Sequence, residues 1–94
     1  MSYSTVTHWN APEWSDELVA LAQDKFVPLI MSVGASKVQM IRTGDLSFCV
    51  VTEYPDAATA EGAQARIADI RAQATEDLTM EMVSSHAGEV YASA

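Results

Sequence analysis

Five side chains in this 94-residue sequence combine a position near a predicted strand end or loop with a type that transfers protons or binds small molecules. The segment "TVTHWNAP" places a histidine, a tryptophan and an asparagine side by side. Histidine and tyrosine can exchange protons, an asparagine amide can hold a polar atom, and an indole offers a flat apolar surface. The candidates for a ligand cleft are therefore His8, Trp9, Asn10, Tyr54 and His86.

Each candidate also has a structural interpretation. Successive side chains of a strand point to opposite faces, so a regular strand would separate His8 from Trp9. A tryptophan at a strand end is commonly part of a core or an interface, and a single histidine is commonly a hydrogen-bonded structural residue. His86 lies between "SS" and "AGEV", where it could be a loop residue. The sequence alone therefore assigns no catalytic residue.

Other kinds of site are not indicated. Two histidines without ligand spacing predict no metal site, and there is no glycine-rich phosphate loop or nucleophile elbow. Cys49, the only cysteine, lies in the strand-like run "LSFCVVTEY", which favours a small buried hydrophobe over a nucleophile. No internal disulfide can form.

The composition limits the partners of the protein. Thirteen acidic residues against 5 basic ones give a formal net charge of -8, which disfavours nucleic acid and anionic membranes. Hydrophobic residues make up 49% of the chain, and its length suits a single domain over 1–94. No secretory signal pattern is visible, and the apolar run "FVPLIMSVG" is too short to cross a bilayer. We expect a soluble cytoplasmic protein.

The first half of the chain predicts a strand followed by a helix. "SYSTVTHW" has strand propensity and ends at "NAP", with Trp9 and His8 on opposite faces. Ser15 is a predicted N-cap, apolar residues follow at helical spacing, and Gly34 can end the helix. Pro28 removes the hydrogen bond to the carbonyl of Asp24, so we expect the last turns to kink or loosen.

A hairpin and a second helix follow. "SKVQMIRT" and "LSFCVVTEY" flank "GD" and predict two paired strands, both of whose faces carry apolar residues. An exposed second face would normally be polar, so we expect a partner to cover it. Asp56 is the predicted N-cap of a second helix, whose apolar stripe is Ala60, Ala63, Ile67, Ile70 and Ala74.

The segment 75–87 fits both a helix and a strand. Leu78, Met80 and Met82 alternate as strand residues do, whereas Leu78, Met82 and Val83 suit a helix. We favour a short helical piece ended by Gly88, with "EVYAS" as the last strand.

The order strand, helix, hairpin, helix, strand is that of the ferredoxin-like plait. With the connection "VGASKVQMIRTGD" and the helix start "EYPDAATAE", the chain resembles the dimeric α/β-barrel superfamily, which includes antibiotic-biosynthesis-type monooxygenases. The resemblance implies an α+β fold, a ferredoxin-like βαββαβ plait with a four-stranded antiparallel sheet, forming a dimeric α/β barrel.

The resemblance also implies a homodimer, formed through the sheets, that would cover the apolar second face of the hairpin. Two functions remain open. One is a monooxygenase-like enzyme that acts on a small apolar or aromatic compound without a cofactor. The other is a non-catalytic dimer that binds a small ligand or serves in assembly.

Overall fold

The protein has the α+β ferredoxin-like fold that the sequence predicts. A computed structural model describes residues 2–94. Four strands form one antiparallel sheet in the order β2-β3-β1-β4. The elements along the chain are β1 (Tyr3–Asn10), α1 (Asp16–Leu21), a π-helical turn (Ala22–Phe26), α2 (Val27–Ser32), β2 (Lys37–Arg42), β3 (Ser47–Tyr54), α3 (Ala57–Leu78) and β4 (Glu81–Glu89).

The alternation of β1 gives the sheet two different faces. Residues paired directly across antiparallel strands share a face. Trp9 pairs with Phe48, and both are buried on the side that faces the helices, which we call the inner face. His8 pairs with Cys49 on the opposite side, the outer face. Cys49 is itself only 7% exposed, in agreement with its interpretation as a buried hydrophobe.

The first helical segment (16–32) is disturbed earlier than the sequence predicts: Ala22–Phe26 is π-helical, whereas the last turns, Val27–Ser32, are α-helical. Ser15 caps its start by accepting a hydrogen bond from the backbone N–H of Leu18 at 3.1 Å. Pro28 has no N–H to donate, so the turn before it cannot continue as regular α-helix. A π-helical turn takes its place, and the N–H of Val27 donates to the carbonyl of Ala22.

Gly34 ends this segment with a φ of +108°, a conformation that favours glycine. A Cβ at this position would lie 2.9 Å from Cγ2 of Thr59 at the start of α3. The glycine therefore serves both the turn and the close approach of α3.

Helix α3 packs on the inner face through the predicted stripe. Asp56 caps it by accepting from the N–H and the hydroxyl of Thr59, each at 2.7 Å. The buried residues of α3 are Ala60, Ala63, Ile67, Ile70 and Ala74. Ala60 and Ala63 are 1% and 2% exposed, so small side chains bring the first turns close to the sheet.

The prediction for the C-terminal segment is wrong beyond Leu78. Helix α3 continues to Leu78 and ends at Thr79, which adopts a left-handed conformation with φ 55°. The chain then forms β4 from Glu81 to Glu89, so neither the helical piece up to Gly88 nor a last strand at "EVYAS" is present.

The segment after Leu78 becomes a strand because of its tertiary partner, β1. The free edge of β1 offers backbone hydrogen bonds that a short helix could not match, and every residue of β4 except Val83 pairs with β1. A bulge at Val83, between the pairs His8–Ser84 and Trp9–Met82, obscures the strand period in the sequence. Among residues 2–94, none of the helices combines the length and apolar character that crossing a membrane requires.

Candidate functional site

A cleft lies between the inner face of the sheet and the helices, and it has two chambers. The inner chamber has a volume of about 80 Å³, and the outer one a volume of about 320 Å³. Residues common to both linings are Leu18, Ala22, Met40, Phe48 and Met80, so the chambers are adjacent. Ala22 belongs to the π-helical turn. Its small side chain leaves space where the two chambers meet.

Three aromatic rings, those of Trp9, Phe48 and Trp14, form part of the cleft lining, the aromatic wall. Trp9 stacks on Phe48 with ring centroids 6.2 Å apart and an interplanar angle of 7°. Trp14 packs edge-on against Phe48, with ring centroids 6.1 Å apart and an interplanar angle of 65°. The indole N–H of Trp9 donates to the hydroxyl of Thr7 at 2.8 Å, which fixes the ring in the wall. Such a surface suits a flat aromatic ligand.

The inner chamber has a polar component. Thr5 and Thr52, which pair across β1 and β3, line it with their neighbour Thr7, and all three are buried. Arg71 from α3 lines the same chamber. Tyr54, two residues beyond Thr52 on the same face, is 2% exposed.

Burial shifts the pKa values of two side chains at the inner chamber, Arg71 and Tyr54. Desolvation lowers the pKa of the Arg71 guanidinium, and the neighbouring Tyr54 phenol opposes that shift. Burial raises the pKa of Tyr54, and Arg71 opposes that shift in turn. A positive charge in apolar surroundings gains most from an anionic or strongly polar ligand group.

No carboxylate lines either chamber, as far as residues 2–94 are concerned. This is unexpected for a chain with 13 acidic and 5 basic residues. Arg71 and Arg42, by contrast, line the inner and the outer chamber respectively. The cleft is thus a locally positive apolar site in an acidic protein. The described part of the chain also contains no group of three or more His, Cys, Asp or Glu side chains able to hold a metal ion.

The structure separates the five candidates predicted from the sequence. Trp9 lines the inner chamber, and Tyr54 lies on the inner face near Arg71. His8, Asn10 and His86 are exposed. His8 and Asn10 alternate with Trp9 along β1, and His86 pairs with Val6, so all three lie on the outer face.

Sequence reasoning did not select Arg71, Arg42, Trp14 or the threonines as site residues. Thr5 and Thr7 alternate in step with Trp9, which was a usable signal for a shared face. Arg71 follows the buried Ile70 directly and lies four residues after Ile67, at the edge of the apolar stripe. Nothing in the local pattern distinguishes it from an exposed arginine.

Comparison with known proteins supports the fold. No family model matches the chain, and no curated protein matches it. A dimeric ferredoxin-like protein from an uncultured marine organism has a TM-score of 0.70 at 18% identity, covering 99% of this chain and 98% of that chain. SnoaB, a cofactor-independent oxygenase from Streptomyces nogalater, has a TM-score of 0.75 at 12% identity, covering 98% and 95%. HapK from Hahella chejuensis has a TM-score of 0.72 at 15% identity, covering 98% and 95%.

At these identities the similarity is one of fold. The resemblance predicted from the sequence is confirmed at that level: the chain shares the ferredoxin-like fold of proteins that include dimers and a cofactor-independent oxygenase.

Proposed function

We propose that the protein binds an aromatic compound in this cleft and oxidises it with dioxygen, without a bound cofactor. The observation that carries the proposal is the pairing of an aromatic wall with Arg71 in an otherwise apolar cleft. The similarity to SnoaB supports the reaction type.

The sizes of the chambers indicate how a ligand would be arranged. A cavity of about 150 Å³ is enough for benzene, so an inner chamber of about 80 Å³ can take only a small group. The outer chamber, at about 320 Å³, lies within the range of small-molecule sites. The ring system would therefore lie against Phe48 and Trp14, with a substituent directed towards Arg71.

The charge of Arg71 fits a cofactor-independent oxidation. In a monooxygenase-type step the compound is the only reductant. One atom of dioxygen becomes bonded to the ring as a carbonyl, and the other leaves as water with two hydrogen atoms of the compound. The deprotonated form of the compound supplies the electrons most readily. A guanidinium in apolar surroundings stabilises that anion more strongly than water-exposed charges do. The role proposed for Arg71 is thus to favour the ionised form of the ligand.

A non-catalytic ligand-binding protein is the second candidate, and one observation favours it. The linings of both chambers, as defined within residues 2–94, contain no histidine, cysteine, aspartate or glutamate. A proton would therefore have to leave an already acidic ligand without a strong base in the cleft.

We also propose that two copies pair through the outer faces of their sheets. Val6, Cys49 and Val51 form an apolar centre there, next to the exposed Ile41. Covering this surface would add to the small core of a 94-residue chain. The dimeric ferredoxin-like protein with the same fold supports a dimer.

Tryptophan fluorescence and oxygen uptake test the proposal with dihydroxynaphthalene as the probe. Quenching should be larger in the wild type than in Trp14→Phe, because Trp14 lines the outer chamber and Trp9 only the inner one. Oxygen uptake above the uncatalysed rate should be lost in Arg71→Gln and retained in Arg66→Gln, an exposed arginine on the same helix.

The outcomes separate the two candidates. Quenching without oxygen uptake supports a binding protein and contradicts the enzyme. An absence of quenching with this probe and with its carboxylated and amidated naphthalene analogues contradicts both.

A further inference from the structure

A second positive site stands at the outer chamber, built from Arg42 and Trp14. The guanidinium carbon of Arg42 lies 4.4 Å from the centre of the Trp14 ring, a cation–π arrangement. Arg42 also donates from Nε to the carbonyl of Gly44 at 3.2 Å and from Nη2 to the carbonyl of Asp45 at 2.8 Å. The guanidinium is therefore fixed by three contacts.

These contacts leave donors for a ligand. A guanidinium carries five N–H groups, and the two hydrogen bonds of Arg42 use Nε and Nη2. Nη1 keeps both of its N–H groups. Because the group is already oriented, a ligand would not have to immobilise a long side chain in order to use it.

The site is continuous with the aromatic wall. Trp14 and Arg42 line the outer chamber together with Phe48, against which Trp14 packs. A ring lying on this wall would carry a substituent within reach of Arg42. No acidic side chain of the described residues competes from the lining of this chamber.

We propose that Arg42 binds the carboxylate of an aromatic acid at the mouth of the cleft, so that the ligand of this protein is anionic before any reaction occurs. The proposal deepens the proposed function and rests on it, because it assigns a charge and an orientation to the ligand of the same cleft. Arg42 would determine which aromatic compounds are accepted, while Arg71 would act at the inner end.

The alternative is that Arg42 only stabilises the hairpin turn through Gly44 and Asp45. Substitution would then lower thermal stability but would not change which ligands bind. A comparison of two ligands of the same shape therefore separates the roles. Naphthoate carries the carboxylate, and naphthamide is its neutral counterpart.

Calorimetric titration of the full chain with both compounds provides the test. We expect the wild type to bind naphthoate about threefold to tenfold more tightly than naphthamide, as charge-assisted hydrogen bonds at a partly exposed site allow. Arg42→Gln should remove this preference by weakening naphthoate alone. Arg66→Gln makes the same charge change away from the cleft and should retain the preference.

Arg42→Lys provides a second variant in case Arg42→Gln does not fold. It keeps the charge but loses the planar fork, so the preference should shrink. An unchanged preference in either Arg42 variant would overturn the proposal, and so would a preference lost in Arg71→Gln but kept in Arg42→Gln. If neither compound binds the wild type, the proposed ligand cleft itself fails, which is a distinct result.

Discussion

The inner and outer faces of the sheet come from the same strands and yet have opposite characters. On β1, Trp9 is 5% exposed and Thr7 is 4% exposed, whereas His8 and Asn10, which alternate with them, are exposed. The inner face is covered by helices of its own chain. The outer face is not covered by any described part of the chain, although Val6 and Val51 pair at its centre.

The difference teaches how one short motif can serve two purposes. In "THWN" the residues that invite a catalytic interpretation, His8 and Asn10, lie on the face proposed for assembly. The residues that look structural, Thr7 and Trp9, line the chamber. Alternation along a strand, and not proximity in sequence, decides which side chains can act together.

The largest difference between the faces should appear in stability. Trp9→Ala removes a buried indole that stacks on Phe48 and donates to Thr7, and we expect it to lower the free energy of unfolding by roughly 3–5 kcal/mol. His8→Ala, one residue earlier on the outer face, should lower it much less, because this side chain is exposed in the protomer and is not part of its core. Denaturant unfolding at matched protein concentration measures both values. Similar losses in the two variants would contradict the assignment of the faces.

The outer face should control the oligomeric state. Val51→Asp places a charge at the centre of the proposed interface, and burying an unpaired carboxylate there is unfavourable. We expect the mass in solution, measured by light scattering, to fall from that of a dimer to that of a monomer.

Ala65→Asp is the matched control, since it makes a similar change on an exposed position of α3. It should remain dimeric. Circular dichroism checks that both variants are folded. A wild type that is monomeric at micromolar concentration would contradict the proposed interface directly.

The elements that the sequence predicted well are those in which one periodic pattern dominates. The stripe of α3 matches its five buried residues, and the alternation of β1 places Trp9 and His8 on opposite faces. Both patterns follow from burial on one side of a regular element. The disturbance expected from Pro28 is present as the π-helical turn, but before the proline and not in the last turns of the helix.

What could not be predicted depended on distant partners. β4 is a strand because the edge of β1 was free, and its bulge at Val83 hides the alternation. The residues of the candidate site were harder to predict than β4. Arg71 matters only because α3 brings it to the chamber that Thr5 and Thr52 also line. Arg42 matters only because it lies over the ring of a tryptophan 28 residues earlier. Such pairings arise from the tertiary fold, and no local pattern in a single sequence predicts them.

The smallest expected effect concerns the ionisation of Tyr54, a buried residue of the inner face, at alkaline pH. Burial raises the pKa of Tyr54 above its usual value of 10.0, and the charge of Arg71 opposes the shift. The difference between the alkaline absorbance titrations of the wild type and Tyr54→Phe isolates this phenol, and its midpoint should lie above 10.0. Arg71→Gln should move the midpoint further upward, because the opposing charge is gone.

The same shift predicts how stability depends on pH. In the unfolded chain Tyr54 ionises near 10.0, while in the folded chain it stays neutral to a higher pH. The contribution of the buried neutral phenol is therefore complete below that value and is lost as the pH rises towards the folded pKa. Relative to Tyr54→Phe, the wild type should therefore lose stability in denaturant unfolding as the pH rises above 10.0. A difference that stays constant, with a phenolate that appears below 10.0, would mean that Tyr54 is not held in the apolar environment that the inner face provides.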